Sequence, residues 1–357
     1  MKSSLRAIVG ALMLAGAGGA MAAGNPLSVE LQAAATKGVP GESVLWQVTN
    51  RGDEAVYVLR WETPLDGLSR SMFDVSINGK PVRYMDKIVH WGHPDADDFV
   101  KIAPGQTLSA EVNLAASYEM IDAGNYTVSF GGQLSYMVSA NEKSGQVEDL
   151  GEVSIDADAI SLYSVGRSPT YYQRLGALGS ALDFTKAGTY ANCSSSQQTQ
   201  FGSAHNNAKT YSANAAAYLN AGTTGPRYTT WFGAYTSSRY TTVKSHFNLI
   251  NNALINQTIT YDCYCTPSAA SAYAYVYANQ PYIIHLCGAF WTAPATGTDS
   301  KAGTIIHEMS HFTVNGGTAD NAYGQTAAKS LAKKQPAKAV QNADNHEYFA
   351  ENTPAQN

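Results

Sequence analysis

A short motif in the second half of this 357-residue chain has the residue types and spacing of a metal site: His307-Glu308-Met309-Ser310-His311. On a helix, positions four residues apart share a face, so the two imidazoles can bind one metal ion. The spacing indicates Zn²⁺, with Glu308 placed to take a proton from a neighbouring water. The alternative is an exposed helix with two surface histidines. Apolar residues on both sides, at Ile305, Ile306 and Phe312, argue against it because they would bury the helix.

Two histidines leave a catalytic zinc site one short of its usual three protein ligands. Asp320 is the nearest downstream carboxylate, and the short glycine-rich segment before it lets the chain return toward the helix. A third histidine in the spacing H-E-x-x-H-x-x-G-x-x-H is excluded, because Val314 and Gly317 occupy the glycine and histidine positions. Glu347 or Glu351, from a later helix, is the competing third ligand. We predict Asp320.

The residues after the helix extend the motif. From His307 to Gly324 the chain reads H-E-x-x-H followed by G-T-x-D-x-x-Y-G without a gap. This pattern resembles the aspzincins, the family of deuterolysin and peptidyl-Lys metalloendopeptidase, and a looser likeness covers about residues 186–357. The resemblance implies a secreted zinc endopeptidase made as an inactive precursor, and we expect one Zn²⁺ per chain. The implied site residues are the ligands His307, His311 and Asp320, the catalytic base Glu308, and Tyr323, which would stabilise the oxyanion.

Two acids beyond the motif bear on specificity. Asp344 and Glu347 are three residues apart, so they lie close together on one face of a helix or turn. The lysine-specific members of the resembled family have acids at about this distance past the zinc motif. The resemblance therefore implies an acidic pocket for the side chain after the cleaved bond, and cleavage on the N-terminal side of Lys, with Arg possible. A solvated acid pair is the alternative.

Other functions stay open on sequence grounds. One is a zinc hydrolase of another amide substrate, and the other is a non-catalytic binding protein built on a β-sandwich. We favour a monomeric peptidase acting on proteins or peptides. The runs from Ala272 to Tyr277 and from Tyr282 to Leu286 predict a β-hairpin before the zinc helix, and the edge of such a hairpin can bind an extended peptide.

The first residues and the distribution of charge indicate an exported chain with two domains. Residues 1–23 have a charged start, a short apolar run and an A-x-A site, which is typical of a secretory signal. We therefore expect an extracellular protein that is not held in a membrane. Residues 1–185 carry 13 Lys and Arg against 21 Asp and Glu, whereas residues 186–357 carry 10 against 7. Neither balance is the dense basic patch that nucleic acid requires.

The pattern of predicted elements changes between the halves. In residues 24–185, short strand-like runs separated by turns predict an all-β propeptide of immunoglobulin-like sandwich type, with a connector at its end. Asn78-Gly79 marks a hairpin in this half. Residues 186–357 predict a mainly α-helical zincin-type protease domain with a small β-hairpin. The predicted helices run from Ser194 to Leu219, Ser237 to Ile255, Lys301 to Thr313, Gln325 to Lys333, and Asn342 to Glu351.

All four cysteines lie in the second half, at Cys193, Cys263, Cys265 and Cys287. An even number in an exported chain favours two disulfides over a cysteine metal site. Cys263 and Cys265 share one side of an extended segment, so each should bond to a different partner elsewhere in the chain. The expected pairs are Cys193–Cys263 and Cys265–Cys287, and the resemblance favours the same pairing.

The acidic half contains no cysteine, so no thiol from it can bind the zinc and keep the precursor latent. Another group must then enter the cleft. We predict Lys87, as a substrate mimic in the acidic pocket, against the alternative of ordinary solvent exposure. His90 and His93 could instead contact the metal, although an H-x-x-H pair in a loop is weak evidence.

An enzyme that cuts before Lys can release itself at an accessible Lys between its halves. Lys186 is the one lysine in residues 144–208. Cleavage of the Thr185–Lys186 bond would leave residues 186–357, which contain every cysteine and every candidate catalytic residue. A different protease acting on an exposed connector is the alternative. Other candidate sites in this region are Arg167 and Arg174.

Overall fold

The computed structural model describes residues 25–36, 39–92, 94, 96–138, 151–155, 157–171 and 190–357. The expected signal segment, His93 and the Thr185–Lys186 bond lie outside these ranges. The described residues form a β-rich N-terminal half and a mainly helical C-terminal half, each with its own hydrophobic core. No helix within these ranges is both long enough and apolar enough to cross a membrane.

Strands with one buried face build the N-terminal half. Its elements are β1 (Leu27–Thr36), β2 (Val39–Asn50), β3 (Val56–Leu59), β4 (Phe73–Ile77), β5 (Lys80–Pro81), β6 (Lys87–His90), β7 (Phe99–Ile102), β8 (Thr107–Asn113), α1 (Leu114–Ser117), β9 (Gly124–Phe130), β10 (Gln133–Val138), β11 (Gly151–Ser154) and β12 (Ile160–Ser164). On β2, Val44, Trp46 and Val48 are buried and alternate with less buried neighbours, as a strand on a core requires. Most of these strands pair in three antiparallel sheets, ordered β1-β2-β8, β11-β10-β3-β7 and β12-β9-β4-β5.

The hairpin expected at Asn78-Gly79 is confirmed. β4 pairs antiparallel with β5, and the two turn residues have φ angles of 51° and 74°. Asn and Gly adopt such positive φ values at the lowest cost, which is why this dipeptide marks tight hairpin turns. An immunoglobulin-like arrangement of the sheets stays a prediction.

The predicted helices all form, with ends that shift by one or two residues. The helices of the C-terminal half are α2 (Ser195–Asn220), α3 (Pro226–Phe232), α4 (Ser237–Asn256), α5 (Gly288–Thr292), α6 (Lys301–His311), α7 (Gly324–Lys334), α8 (Pro336–Ala339) and α9 (Ala343–Glu351). A capping box fixes the start of α2, because the Ser194 hydroxyl accepts from the Gln197 N–H and the Gln197 side chain accepts from the Ser194 N–H. The short helices α3, α5 and α8 were not predicted, since too few residues show a helical period.

A small mixed sheet packs beside the helices. It contains β13 (Tyr190–Ala191), β14 (Thr260–Asp262), β15 (Ala274–Tyr277) and β16 (Ile283–Leu286), and β15 and β16 form the predicted hairpin. The disulfides Cys193–Cys263 and Cys265–Cys287 form with the expected pairing. They attach the ends of β13, β14 and β16 to one another, so the sheet is covalently held where its strands are shortest.

The last strand of this sheet comes from the other half of the chain. The strand order is β13-β14-β16-β15-β6. β6 runs antiparallel to β15 along its whole length, with Lys87 opposite Tyr277 and His90 opposite Ala274. The Tyr273 N–H also donates to the His90 carbonyl at 2.8 Å. The free edge of the predicted hairpin is therefore covered by a segment of the acidic half.

Helix α6, which carries the zinc motif, is buried over its whole length. Its N-cap is Ser300, whose hydroxyl accepts from the Gly303 N–H at 3.0 Å. Gly303 faces α9 so closely that a Cβ there would lie 2.1 Å from Glu351 Oε1 and 2.7 Å from Glu347 Oε1. Glycine at this position lets the acids of α9 approach the metal helix.

One buried amide holds the loop that returns to α6. The Asn342 side chain accepts from the backbone N–H groups of Asn321 and Ala322 at 2.7 and 3.1 Å, and it donates to the Ala322 carbonyl at 3.0 Å. Asp320 directly precedes these two residues, and Tyr323 directly follows them. Asn342 thus fixes the position of two candidate site residues from outside the motif.

We expect Asn342→Ala to lower the free energy of unfolding by about 2–4 kcal/mol, because it removes a buried amide and leaves two half-buried N–H groups without their acceptor. Chemical denaturation of the purified protein measures this loss. The matched control is Asn256→Ala, since the Asn256 amide bonds only to the exposed Asn252 side chain one turn away. The control should change stability by less than about 0.5 kcal/mol. Equal losses in the two variants would contradict the role given to Asn342.

Candidate active site

Three buried side chains from α6 and the return loop converge on one point. Nε2 of His307 lies 3.2 Å from Oδ1 of Asp320, and Nε2 of His311 lies 3.4 Å from the same oxygen. None of these three atoms makes a hydrogen bond to the described residues. Their mutual spacing suits the ligands of one metal ion.

The tautomer of His311 shows what this cluster needs. Its Nδ1 lies 2.9 Å from the Thr318 carbonyl, which can only accept, so Nδ1 carries a proton and the neutral form of the ring has its lone pair on Nε2. A lone pair facing a carboxylate oxygen in a buried site calls for a cation between them. Two imidazole nitrogens and one carboxylate oxygen are a donor set that fits Zn²⁺.

The structure brings Asp320 to the two Nε2 atoms, whereas Glu351 accepts from the Ser300 N–H and hydroxyl at 2.9 and 2.7 Å. Thr318 directly follows the Gly317 turn and faces back toward the helix, where its carbonyl lies 2.9 Å and its hydroxyl 3.4 Å from Nδ1 of His311. The side chain that bonds to Asp320 is that of Tyr323.

Tyr323 and Asp320 form a close pair. The Tyr323 hydroxyl lies 3.1 Å from Oδ2 of Asp320. Burial, followed by the charge of Asp320, raises the pKa of Tyr323 well above its usual value, so the phenol keeps its proton and stays a donor. Burial opposes the charge on Asp320, but attraction to His311 and His307 outweighs it and holds the pKa of Asp320 well below its usual value.

Glu308 lies beside the metal ligands and has no exposed surface. Neither of its carboxylate oxygens makes a hydrogen bond to the described residues. Burial raises its pKa to about 7, although the neighbouring His307 and His311 pull the pKa down. A carboxylate with a pKa near neutrality can both accept and return a proton, which suits a general base.

Asp344 and Glu347 lie on the far side of His307. Oδ1 of Asp344 is 3.0 Å and Oε2 of Glu347 is 3.3 Å from Nδ1 of His307. Asp344 also accepts from the Gly324 N–H at 2.6 Å. Both acids are buried, and burial raises the pKa of each. A solvated surface pair is therefore excluded, and Glu347 faces the nitrogen of His307 that points away from Asp320.

A histidine from the N-terminal half fills the space in front of these acids. The His90 ring stacks on the His307 ring with centroids 3.6 Å apart and planes 4° from parallel. Nε2 of His90 lies 3.5 Å from Glu347 Oε2 and 4.0 Å from Asp344 Oδ1. Burial, followed by repulsion from His307, lowers the pKa of His90 well below its usual value.

Lys87, predicted for this position, lies elsewhere. It is three residues before His90 on β6, so the two side chains leave opposite faces of the strand and only one can enter the cleft. Lys87 lines a surface cavity with Trp61 and Trp91. The position of the Lys87 side chain follows from the register of β6 on β15, and this register cannot be predicted from the sequence.

Another contact from the N-terminal half was missed entirely. Arg70 is buried, and its Nη1 donates to the Asp320 carbonyl at 2.8 Å. Its guanidinium carbon also lies 5.8 Å from the centre of the Tyr323 ring. A single arginine in a β-rich segment carries no sequence signal for such a contact, because 250 residues separate it from Asp320.

Comparison with known proteins agrees with this site. A family model described as lysine-specific metallo-endopeptidase, the aspzincin model, matches residues 217–351. This range contains all the candidate ligands and the acids Asp344 and Glu347. It leaves out the N-terminal half, which contributes His90 and Arg70.

Similar proteins extend the match over most of the chain. A peptidyl-Lys metalloendopeptidase of Grifola frondosa is 40% identical over 90% of this chain and 91% of its own. An extracellular protease of Aeromonas hydrophila is 35% identical over 87% of this chain and 88% of its own. A solved zinc peptidase structure from Grifola frondosa is 55% identical, covers 46% of this chain and 100% of that one, and has a TM-score of 0.44. The chain belongs to the aspzincin family of zinc metalloendopeptidases.

Proposed function

We propose that this chain is the latent precursor of a secreted endopeptidase that cleaves on the N-terminal side of Lys. The observation that carries the proposal is the arrangement around His307, with a metal site at one ring nitrogen and two buried acids at the other. The peptide bond to be cut would then lie near Nε2 of His307, and the lysine side chain to be recognised would lie near the acids at Nδ1. The names of the similar proteins support the same reading.

The proposed mechanism assigns one task to each group. His307, His311 and Asp320 would hold Zn²⁺, which would supply Lewis-acid chemistry and lower the pKa of a water toward about 7. Glu308 takes the proton from the attacking water and delivers it to the leaving amine. The Tyr323 hydroxyl donates to the carbonyl oxygen as negative charge develops on it. The Thr318 carbonyl keeps His311 in the tautomer that leaves Nε2 free for the metal.

Selection of lysine would come from Asp344 and Glu347 on α9. A lysine ammonium entering beside His307 would meet Asp344 and Glu347 in a site that excludes water, where attraction between opposite charges is strong. The Gly324 N–H fixes Oδ2 of Asp344, and Oδ1 lies 3.0 Å from Nδ1 of His307 at the edge of this pocket. An apolar side chain would instead leave both acids buried without the positive charge of a lysine beside them.

Latency and release would follow from the other half. The family model covers residues 217–351, and all four cysteines lie after Lys186, so residues 186–357 can form the released enzyme. We propose the Thr185–Lys186 bond as the point of release. The extracellular relative from Aeromonas hydrophila supports the proposed secretion of this chain.

We expect Glu308→Gln to keep its zinc and to lose at least about 100-fold in kcat, because the general base is removed while the ligands stay. Metal analysis after gel filtration and the rate on a peptide substrate measure the two effects. Asp320→Ala is the counterpart, since it should lose zinc as well as activity. Zinc binding by Asp320→Ala as tight as in the wild type would show that the third ligand is another residue.

The acid pocket predicts cuts before Lys in an unfolded protein substrate, as mapped by mass spectrometry of the fragments. We expect Glu347→Gln to lower the ratio of kcat/KM for a Lys peptide to that for its norleucine isostere by at least about 30-fold, because a buried charge pair contributes about 2 kcal/mol or more. The ratio is insensitive to any general loss of activity.

The matched control for this experiment is Glu351→Gln, one turn further along α9, where the carboxylate contacts Ser300. It should leave the Lys to norleucine ratio within about threefold of wild type, because Ser300 lies at the start of α6 and away from His307. Wild-type cuts spread over apolar residues would rule out the lysine pocket itself.

Release by the enzyme itself predicts the first residues of the processed form. N-terminal sequencing of the secreted protein should begin Lys-Ala-Gly-Thr-Tyr. The Glu308→Gln precursor, expressed alone and purified, should stay uncut at this bond. Trimming of that inactive precursor at Lys186 in pure form would refute processing by the enzyme itself.

A further inference from the structure

We propose that β6 occupies the substrate cleft as a mock substrate, with the Val89–His90 peptide in the position of the bond to be cut and the His90 side chain in place of the substrate lysine. This inference rests on the proposed function, because it uses the lysine pocket and the role of Tyr323. It adds the register of the blocking strand, the residue that blocks, and the reason the strand is not cleaved.

The backbone of β6 binds as an extended peptide binds to a sheet edge. Residues Lys87 to His90 pair antiparallel with β15, the strand next to the zinc helix. Main-chain pairing of this kind holds a peptide without regard to its sequence, and pockets for individual side chains then set the specificity. From the other side, the Ser69 carbonyl accepts from the Val89 N–H at 2.9 Å. The N-terminal half therefore holds Val89 in place against the cleft.

The Val89 carbonyl marks the position of the bond. Its oxygen lies 3.1 Å from the Tyr323 hydroxyl, whose one proton is shared between this carbonyl and Oδ2 of Asp320 at the same distance. Tyr323 is the group proposed to stabilise the oxyanion, so its hydroxyl should face the carbonyl of the bond under attack. By this criterion Val89 is the residue before that bond, and His90 is the residue after it.

The His90 side chain gives the same register independently. An enzyme that cuts before Lys must place the residue after the bond against its acidic pocket. His90 is that residue, and its Nε2 lies 3.5 Å from Glu347 and 4.0 Å from Asp344. Main-chain and side-chain contacts thus agree on the same peptide bond, although each depends on different residues.

The same geometry explains why the strand blocks the cleft without being cut. The rigid imidazole stops short of hydrogen-bonding distance from either acid, whereas the longer lysine chain can reach both. Nδ1 of His90 lies 3.8 Å from Oε1 of Glu308, and no water fits between atoms at this distance. The ring therefore lies against the carboxylate that must activate the attacking water. The Arg70 contact with the Asp320 carbonyl holds the two halves together beside this point.

The decisive experiment changes the blocking residue into the preferred one. In the zinc-loaded full-length precursor, His90→Lys should be cut at the bond after Val89, as shown by intact mass and N-terminal sequencing. Water adds its hydroxyl to the Val89 carbonyl carbon, the C–N bond breaks, and the leaving amine takes the proton. His90→Gln, which lacks the charge, should stay uncut there, and so should His90→Lys combined with Glu308→Gln. A His90→Lys precursor that folds and stays intact after Val89 would overturn the proposal.

A peptide version keeps the test decisive if a precursor variant does not fold. Synthetic peptides of residues 84–92, with Lys87→Gln to remove the other lysine, are tested against the processed enzyme from the secreted wild type. The peptide with His90 should inhibit competitively and stay intact, and the His90→Lys peptide should be cut after Val89. In competition with a reporter peptide on the processed wild-type enzyme, a His90→Ala peptide should bind at least about tenfold more weakly than the His90 peptide.

The outcomes separate the two hypotheses. If the processed enzyme fails to cut unrelated peptides before Lys, the proposed specificity is wrong. If it cuts those peptides but leaves the His90→Lys peptide intact, or cuts it at another bond, the assigned register is wrong. Equal binding of the His90 and His90→Ala peptides would show that His90 is not the blocking residue.

Discussion

The imidazole of His307 connects the parts of the active site, because each of its nitrogens faces a carboxylate. Nε2 lies 3.2 Å from Asp320 on the return loop, and Nδ1 lies 3.0 Å from Asp344 on α9. A ring held on both edges cannot rotate without breaking one set of contacts. The metal site and the acid pair are therefore fixed relative to each other, and the Asn342 amide and Gly303 set the loop and α9 at the distances that this requires.

The same arrangement concentrates negative charge in the interior. Residues 186–357 contain seven acidic side chains, and five of them are buried around α6: Glu308, Asp320, Asp344, Glu347 and Glu351. Burying a carboxylate costs several kcal/mol unless charges or hydrogen bonds compensate for it. The two histidines of the motif and the N–H groups of Gly324 and Ser300 provide part of this compensation. A metal cation bound at Asp320 would compensate further. The mildly basic formal charge of this half therefore conceals an acidic interior.

The N-terminal half covers this interior where it would otherwise open to solvent. β6 pairs with the edge of β15, which removes an exposed strand edge of the kind that invites unwanted pairing between chains. His90 closes the acid pair, and Arg70 reaches the backbone of the metal-binding loop. The side chains that make these contacts, His90 and Arg70, are 20 residues apart in the sequence. They are brought together because the sheets of this half hold their strands in register. The covering therefore depends on the fold of the whole N-terminal half.

Much of the site follows from sequence because it lies in one local motif. The positions of His307 and His311 are set by the helical period, and Asp320 follows after a short turn, so few residues separate the ligands. The main helices, the Asn78-Gly79 turn and the β15–β16 hairpin were likewise predicted, since periodicity and turn residues act over short distances. The two cysteines that are two residues apart similarly required separate partners, which limited the possible disulfides.

Tertiary structure alone decided which residues meet across the two halves. Lys87 and His90 are three residues apart in the sequence and lie on the same strand. Only the register of β6 on β15 determines that His90 is the one that points into the cleft. Thr318 orients His311 mainly through its backbone carbonyl, 2.9 Å from Nδ1, and backbone direction is not written in residue type. Arg70 reaches Asp320 over 250 residues, a separation at which no periodicity or turn signal survives. The sequence by itself determined the chemistry of the metal-binding helix and its return loop, whereas the packing of two distant segments determined what covers them.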